Sequence, residues 1–84
     1  MTKDDIIQET LERLSKFLGR PFKEEDLEQG YDSLGADSMD MVVLAFELEK
    51  LIGTAIKPEI FMKHVSIRSA LDIIIEEHEN AQDD

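Results

Sequence analysis

Apolar residues recur with a helical period near the start of the chain. Thr2 and Asp5 have the spacing of a capping box, in which each residue pairs with the backbone of the other at the start of a helix. The apolar positions that follow are Ile7, Leu11, Leu14 and Leu18, which are spaced i, i+4, i+7 and i+11. Ile6 and Phe17 widen this apolar face. Gly19 and Pro21 are typical of a helix end. The pattern predicts an amphipathic first helix.

A second helical pattern begins at Asp37. This residue is a suitable N-cap, with Asp40 at the third helical position, and both carboxylates would lie at the positive end of the helix dipole. The apolar positions behind them are Val42, Leu44, Phe46, Leu48, Leu51 and Ile52. Gly53 ends the pattern, and Ser38 becomes the first residue of the predicted helix.

Two further helices are predicted in the last third of the chain. Pro58 can open a short helix that runs through Glu59 to Lys63, and Ser66 can cap the last helix. The last helix contains the periodic positions Ile67, Leu71, Ile74, Ile75 and His78. We expect the acidic tail, from about residue 79 to residue 84, to be frayed.

The segment from Arg20 to Ala36 has no helical period. We predict a long loop there, with one helical turn in the sequence KEEDL and with Leu27, Tyr31 and Leu34 as its anchors to the core. No alternating pattern indicates a strand. The predicted fold is therefore a single all-α domain over residues 1–84, a small bundle of three main helices plus one short helix, with a long loop between the first and second helices.

Charge narrows the range of partners. Asp and Glu number 20 against 9 Lys and Arg, so the formal net charge of −11 repels nucleic acids and favours partners with basic patches. The apolar fraction of 42% is too high for a disordered acidic tail, so the charge belongs to the surface of a folded unit. The chain has no cysteine and no long apolar run. We expect a cytoplasmic monomer without membrane insertion.

Two Asp-Ser pairs in the stretch YDSLGADSMD are the candidates for chemistry. Ser33 falls in the loop, where its hydroxyl is expected to be solvated. Ser38 falls at the start of the second helix, whose unpaired backbone N–H groups attract an anion such as a phosphate ester. The sequence favours Ser38.

The residues LGADSMD, Leu34 to Asp40, resemble the phosphopantetheine attachment motif of acyl carrier proteins, in which Leu-Gly-x-Asp-Ser is followed by Leu or Met. The resemblance covers nearly the whole chain. The family pattern also includes the order of the helices, the long first loop, the short third helix and the closing helix, here SIRSALDII. It implies a carrier protein rather than an enzyme.

By this resemblance, Ser38 would receive 4′-phosphopantetheine from coenzyme A through a separate, magnesium-dependent phosphopantetheinyl transferase, with Asp37 supporting the reaction. The thiol of the arm would hold acyl groups as thioesters. Family members bury acyl chains between the helices, and the pocket candidates here are Val42, Phe46, Leu48 and Ile67.

Recognition of partner enzymes is expected on the second helix. The candidate residues are Asp40, Met41, Val43, Glu47 and Glu49, whereas Met39 is expected to face inward. The partners would be acyl-loading enzymes, ketosynthases or other acyl-processing enzymes with basic docking patches.

The pathway has two alternatives. Val43 stands where fatty-acid carriers commonly have glutamate, and Lys50 interrupts the acidic run. The stretch IKPEIFMKHVSIRSALDI is closer to polyketide and nonribosomal peptide carriers. These features favour a free-standing carrier of polyketide or related secondary metabolism over a carrier of fatty acid synthesis, with a domain cut from a larger synthase as a further alternative.

Other functions are less consistent with the sequence. The Gly-x-Ser-x-Gly motif of hydrolases is absent around Ser38, and neither Gly30 nor Gly35 has the setting of a calcium-binding EF-hand loop. His64 and His78 lack the spacing of a metal site. An acidic helical interaction module without a prosthetic group remains the rival, and it predicts that Ser38 is dispensable.

Overall fold

The computed structural model describes residues 1–82, with side chains as far as Ala81. The helices are α1 (Lys3–Leu18), α2 (Ser38–Ile52), α3 (Ile60–Lys63) and α4 (Ile67–Gln82), and a 3₁₀ helix (Glu24–Glu28) lies in the first loop. No strand is present within this range. The predicted all-α architecture and the helical turn in the loop are confirmed. No helix in the described range has the length and apolar character needed to cross a membrane.

Helix α1 begins with the predicted capping box. Asp5 N donates to Thr2 Oγ1 at 3.2 Å, and Thr2 N donates to Asp5 Oδ2 at 3.0 Å. The bond from the Thr2 backbone, followed by the bond with the Thr2 hydroxyl, lowers the pKa of Asp5 below its ordinary value of 3.8. At its other end α1 stops at Gly19, whose φ of 68° is left-handed.

The core lies where α1 packs against α2 and α4. Leu14, Leu44 and Leu48 are completely buried, as are Ile67 and Leu71 of α4. Burial of one such side chain stabilises the fold by about 1.5–3 kcal/mol relative to leaving it exposed. The three long helices of the sequence therefore supply most of the core.

The first loop is fastened to the start of α4. Arg68 reaches both Glu24 and Glu28 of the 3₁₀ helix, at 3.4 and 3.3 Å, and Ile67 N donates to Gln29 O at 3.0 Å. Leu27 is completely buried beneath these contacts. The loop is thus anchored, as predicted for Leu27, and it reaches α2 with a defined conformation.

Helix α4 begins at the predicted cap and ends later than predicted. Ser69 N donates to Ser66 Oγ at 3.1 Å, which confirms Ser66 as the capping side chain. The helix continues to Gln82, so the prediction of a frayed tail from residue 79 is wrong for residues 79–82. Asp83 and Asp84 lie outside the described residues. Burial of Ile74, Ile75 and His78 explains the extra helical turn, because these side chains hold the end of α4 against the core.

Candidate functional site

Ser38 is the first residue of α2, and its side chain is exposed. The cap of the helix is made by its neighbours: Asp40 N donates to Asp37 Oδ1 at 2.9 Å, and Asp37 N donates to Asp40 Oδ2 at 3.0 Å. The Ser38 hydroxyl takes no part in this capping box and has no hydrogen-bond partner within residues 1–82. It is therefore free to react.

The turn that precedes Ser38 is held by backbone hydrogen bonds and by two buried side chains. Tyr31 O accepts hydrogen bonds from Leu34 N at 3.2 Å and from Ala36 N at 3.0 Å, so the chain folds back on itself within five residues. Gly35 has a φ of 92°, a left-handed conformation that residues with a Cβ rarely adopt. Leu34 and Ala36 are buried on either side of it. The Leu-Gly-Ala segment of the motif thus anchors the start of α2 to the core.

Arg20 strengthens the same turn from the end of α1. Its Nη2 donates to Leu34 O at 2.9 Å, and its guanidinium carbon lies 4.1 Å from the centre of the Phe22 ring. The stacked ring limits the orientations of the guanidinium and so favours the bond to the carbonyl. No local sequence pattern indicates this contact, because the two bonded residues are fourteen positions apart.

Ser33 has a different setting from Ser38. It lies in the turn, is exposed, and its backbone N–H bonds the side chain of the preceding Asp32 at 3.0 Å. No helix begins beside it. The predicted exposed turn position of Ser33 is confirmed.

The four pocket candidates do not share one location. Leu48 and Ile67 are completely buried in the core, and Val42 is half-buried. Phe46 is 58% exposed, so its assignment to a pocket between the helices is wrong. Successive helical residues are about 100° apart, which directs residue 46 away from the core when residues 44 and 48 face it.

The two methionines of α2 face the opposite sides from those predicted: Met41 faces the core and Met39 faces outward. Met41 is completely buried and is excluded from any surface that a partner could touch. Met39 is 64% exposed, so the prediction that it faces inward is wrong. The reason is helical phase: Met41 shares the buried face with Leu44, Ala45 and Leu48, which follow it at i+3, i+4 and i+7. Val43 is exposed, as a recognition residue requires.

The carboxylates of α2 that were predicted to recognise partners contact other groups of the same chain. Asp40 belongs to the capping box, and Glu47 Oε1 lies 2.9 Å from Arg13 Nε on α1, an ion pair without the alignment of a hydrogen bond. Glu49 Oε1 accepts a hydrogen bond from Ile56 N at 2.8 Å and so holds the segment after α2. Each of these carboxylates has a structural function at its position.

The two histidines lie far from Ser38 in the sequence, and their environments differ from each other. His64 lines an open groove between α3 and α4, together with Lys57, Lys63 and Glu77. His78 is buried, and its Nδ1 lies 3.0 Å from the Thr54 hydroxyl. In the part of the chain that the structure describes, no group of three or more His, Asp or Glu side chains is arranged to hold a metal ion.

A match to a known protein family covers most of the chain. Residues 8–74 match the family described as the phosphopantetheine attachment site, and this range includes α2 and the turn before it. The chain belongs to this family of carrier domains. It is 33% identical over 82 residues to a protein named acyl carrier protein from Rubrobacter xylanophilus, an alignment that covers 96% of this chain and all of the relative. No solved structure gives a significant match.

Membership of the acyl carrier family establishes the general role of the protein. Its prosthetic group is 4′-phosphopantetheine, and its role is that of an acyl carrier, in a family whose members are generally non-catalytic. The start of α2 fits such a group, because an exposed hydroxyl lies beside the backbone N–H groups of Ser38 and Met39, for which residues 1–82 supply no acceptor. These groups can donate to a phosphate ester on the hydroxyl.

Proposed function

We propose that Ser38 is the attachment point of 4′-phosphopantetheine and that the protein delivers acyl thioesters on this arm to the enzymes of a biosynthetic pathway. One observation carries the proposal: the hydroxyl of Ser38 is exposed at the first position of α2 and is not used as a cap, a function that Asp37 performs instead. Ser33, the other serine of the stretch YDSLGADSMD, has no helix end beside it.

The chain contributes position and electrostatics to the attachment. The transferase removes the proton of the Ser38 hydroxyl, and the oxygen forms a bond to the phosphorus that carries the pantetheine group. The phosphorus–oxygen bond to the adenosine 3′,5′-bisphosphate part of coenzyme A breaks, and that part leaves. Asp37 supports the step by fixing the first turn of α2 and by offering a carboxylate near the magnesium ion of the transferase. Once bound, the arm supplies the thiol that this cysteine-free chain lacks.

The experiment for this proposal uses coenzyme A, magnesium and a broad-specificity phosphopantetheinyl transferase, with the intact mass as readout. We expect the wild-type protein to gain the mass of the arm and Ser38→Ala to gain nothing. Ser33→Ala is the matched control, since it removes the hydroxyl of the other Asp-Ser pair, and it should be modified like the wild type. A mass gain that survives Ser38→Ala would contradict the proposal. An unmodified wild type would instead favour an interaction module without a prosthetic group.

For the pathway, we propose polyketide or related secondary metabolism. Two features support it: Val43 is an exposed apolar residue where fatty-acid carriers commonly have glutamate, and Lys50 adds a positive charge further along the same helix. The segment from residue 57 to residue 64 adds Lys57 and Lys63, which make the region around α3 less acidic than the rest of the chain. A carrier of fatty acid synthesis is the alternative.

Loading reactions distinguish the two pathways. The modified protein would be incubated in parallel with a malonyl transferase and ketosynthase of fatty acid synthesis and with their polyketide counterparts. We expect faster acylation by the polyketide enzymes. Faster acylation by the fatty acid enzymes would contradict the pathway assignment and would leave attachment at Ser38 intact. In either case we propose that the protein acts as a cytoplasmic monomer.

A further inference from the structure

The turn before Ser38 receives a hydrogen bond from another element of the fold. Inside residues 31 to 36 the backbone bonds run between neighbours, with Tyr31 O accepting from Leu34 N and Ala36 N. The exception is Leu34 O, which accepts a hydrogen bond at 2.9 Å from Nη2 of Arg20, just beyond the end of α1. Among the residues that the structure describes, Arg20 therefore makes the one hydrogen bond that ties this turn to the rest of the protein.

The bonded carbonyl belongs to the peptide group that joins Leu34 to Gly35. Gly35 has a φ of 92°, and a Cβ placed there would meet no atom within 4 Å, so the position needs glycine for its backbone conformation and not for space. Glycine adopts other conformations readily, and rotation of the peptide group changes the φ of Gly35. The N–H of this group donates to Asp32 O at 3.2 Å inside the turn, while Arg20 holds the carbonyl from outside. Rotation would break both bonds.

The side chain of Arg20 is itself restrained by the core. The Phe22 ring, 4.1 Å from the guanidinium carbon, is only 9% exposed and belongs to the core. A planar guanidinium that stacks on a fixed ring has few orientations left, so its bond to the carbonyl restrains the turn relative to the core. Arg20 and Phe22 together thus connect the core to the peptide group before Gly35.

The position of the Ser38 hydroxyl depends on this turn. Buried side chains hold the body of α2, but Ser38 is exposed at the first position of the helix, three residues after Gly35. The capping box joins Asp37 to Asp40 within the first turn and does not fix that turn against another element. The conformation at Gly35 therefore influences the direction in which the hydroxyl is presented.

We infer that Arg20 is a positioning residue for the transfer of 4′-phosphopantetheine. Its bond to Leu34 O fixes the peptide group before Gly35 and, through it, the approach of the Ser38 oxygen to the phosphorus of coenzyme A. The inference rests on the proposed attachment at Ser38. Arg20 changes none of the bonds that form or break in the transfer, since its contact is with the turn, four residues before the serine.

A positioning residue affects the rate of the chemical step more than the binding of the partner. Misplacement of a reacting atom by about 1 Å can cost about a hundredfold in rate. The capping box and the buried Leu34 and Ala36 limit the displacement when Arg20 is removed. We therefore expect Arg20→Ala to slow the transfer about tenfold and to leave KM nearly unchanged.

The experiment follows the mass gain of the intact protein with coenzyme A, magnesium and a broad-specificity transferase. It measures KM, and it measures the rate of a single turnover with the transferase in saturating excess. Lys16→Ala is the matched control, because Lys16 is an exposed cation in the last turn of α1 and its removal changes the net charge by the same amount. We expect Lys16→Ala to match the wild type and Arg20→Lys, which keeps a donor but not the stacked plane, to be intermediate.

Rates are compared well below the Tm of each variant, where circular dichroism shows it to be fully folded, so that a loss of folded protein does not lower them. If Arg20→Ala does not fold, Arg20→Lys takes its place in the comparison. A single-turnover rate equal to that of Lys16→Ala would overturn the inference, as would a raised KM with an unchanged rate, which would indicate that Arg20 contacts the transferase. In both cases the wild type is still modified at Ser38, and the proposed function stands. A wild type that gains no mass overturns both.

Discussion

At the scale of single residues, a carboxylate in a capping box makes helix stability depend on pH. The pKa of Asp5 is lowered because its carboxylate accepts hydrogen bonds from Thr2. A group with a lowered pKa in the folded state contributes stability above its unfolded pKa, here 3.8, and loses that contribution as the pH falls through the folded value. The start of α1 should therefore loosen in acid.

Asp5→Asn tests this dependence. We expect the variant to exchange its first-turn amide hydrogens faster than the wild type at about pH 7, and the difference to shrink as the pH falls below 3.8 and through the lowered pKa of the wild-type Asp5 carboxylate. Asp4→Asn is the control, since Asp4 lies in the same turn outside the capping box. Equal exchange in the two variants at neutral pH would contradict the prediction.

His78 depends on a single hydrogen-bond partner. Its Nδ1 faces the Thr54 hydroxyl at 3.0 Å, whereas its Nε2 is buried without a partner in the described part of the chain. Thr54→Val would leave both ring nitrogens without a partner, and we expect the free energy of unfolding to fall by about 1–3 kcal/mol. Chemical denaturation measures the loss. Thr54→Ser keeps the hydroxyl and should retain most of the stability; a loss as large as that of the valine variant would show that the methyl group matters instead.

At the scale of elements, Arg20 connects α1 to the turn that presents Ser38. Arg20→Ala removes the bond to Leu34 O and the contact with the Phe22 ring, and we expect the fold to lose about 1–2 kcal/mol. The amide hydrogens of residues 34 to 36 should exchange faster, while those in the middle of α2 change little. Hydrogen exchange resolved by residue measures both regions.

Arg20→Lys is the matched variant for the same contact. A lysine keeps a positive charge near the Phe22 ring but lacks the planar group that can stack on it and bond the carbonyl together. We expect intermediate exchange in residues 34 to 36. Unchanged exchange in Arg20→Ala would show that the hydrogen bonds to Tyr31 O suffice to hold the turn.

At the scale of the whole molecule, net charge opposes the compact state. The formal charge of −11 is spread over a small domain, and within residues 1–82 the ion pairs involve only Arg13 and Arg68 among the basic residues. The destabilisation from mutual repulsion of the remaining acidic residues should exceed the stabilisation from these ion pairs, because surface pairs contribute about 0–1 kcal/mol each.

Salt should therefore stabilise the protein. We expect Tm to rise by a few degrees when sodium chloride is increased from about 0.01 M to 0.15 M, since the screening length shortens from about 30 Å to about 8 Å. Lys50→Glu makes the net charge more negative and should show a larger rise. A Tm that falls with salt would indicate that the ion pairs of Arg13 and Arg68 dominate instead.

The sequence by itself determined the helices, the starts of the three long ones and the candidate serine. Capping boxes at Thr2 and Asp37 and the glycines at helix ends are local features, formed by residues within one turn of each other, so their spacing in the sequence is sufficient to predict them. The motif from Leu34 to Asp40 is equally local. The candidate serine followed from these features without knowledge of the packing.

Only the tertiary structure decided which side of α2 faces the core. Apolar residues occur around the whole circumference of α2, so a helical period does not distinguish the buried Met41 from the exposed Met39 and Phe46. The contacts of Arg20 with Leu34 and of Arg13 with Glu47 join distant parts of the chain and leave no local pattern. Packing of α1 against one side of α2 selects the buried face, and the apolar side chains of Met39, Val43 and Phe46 stay exposed on the other side.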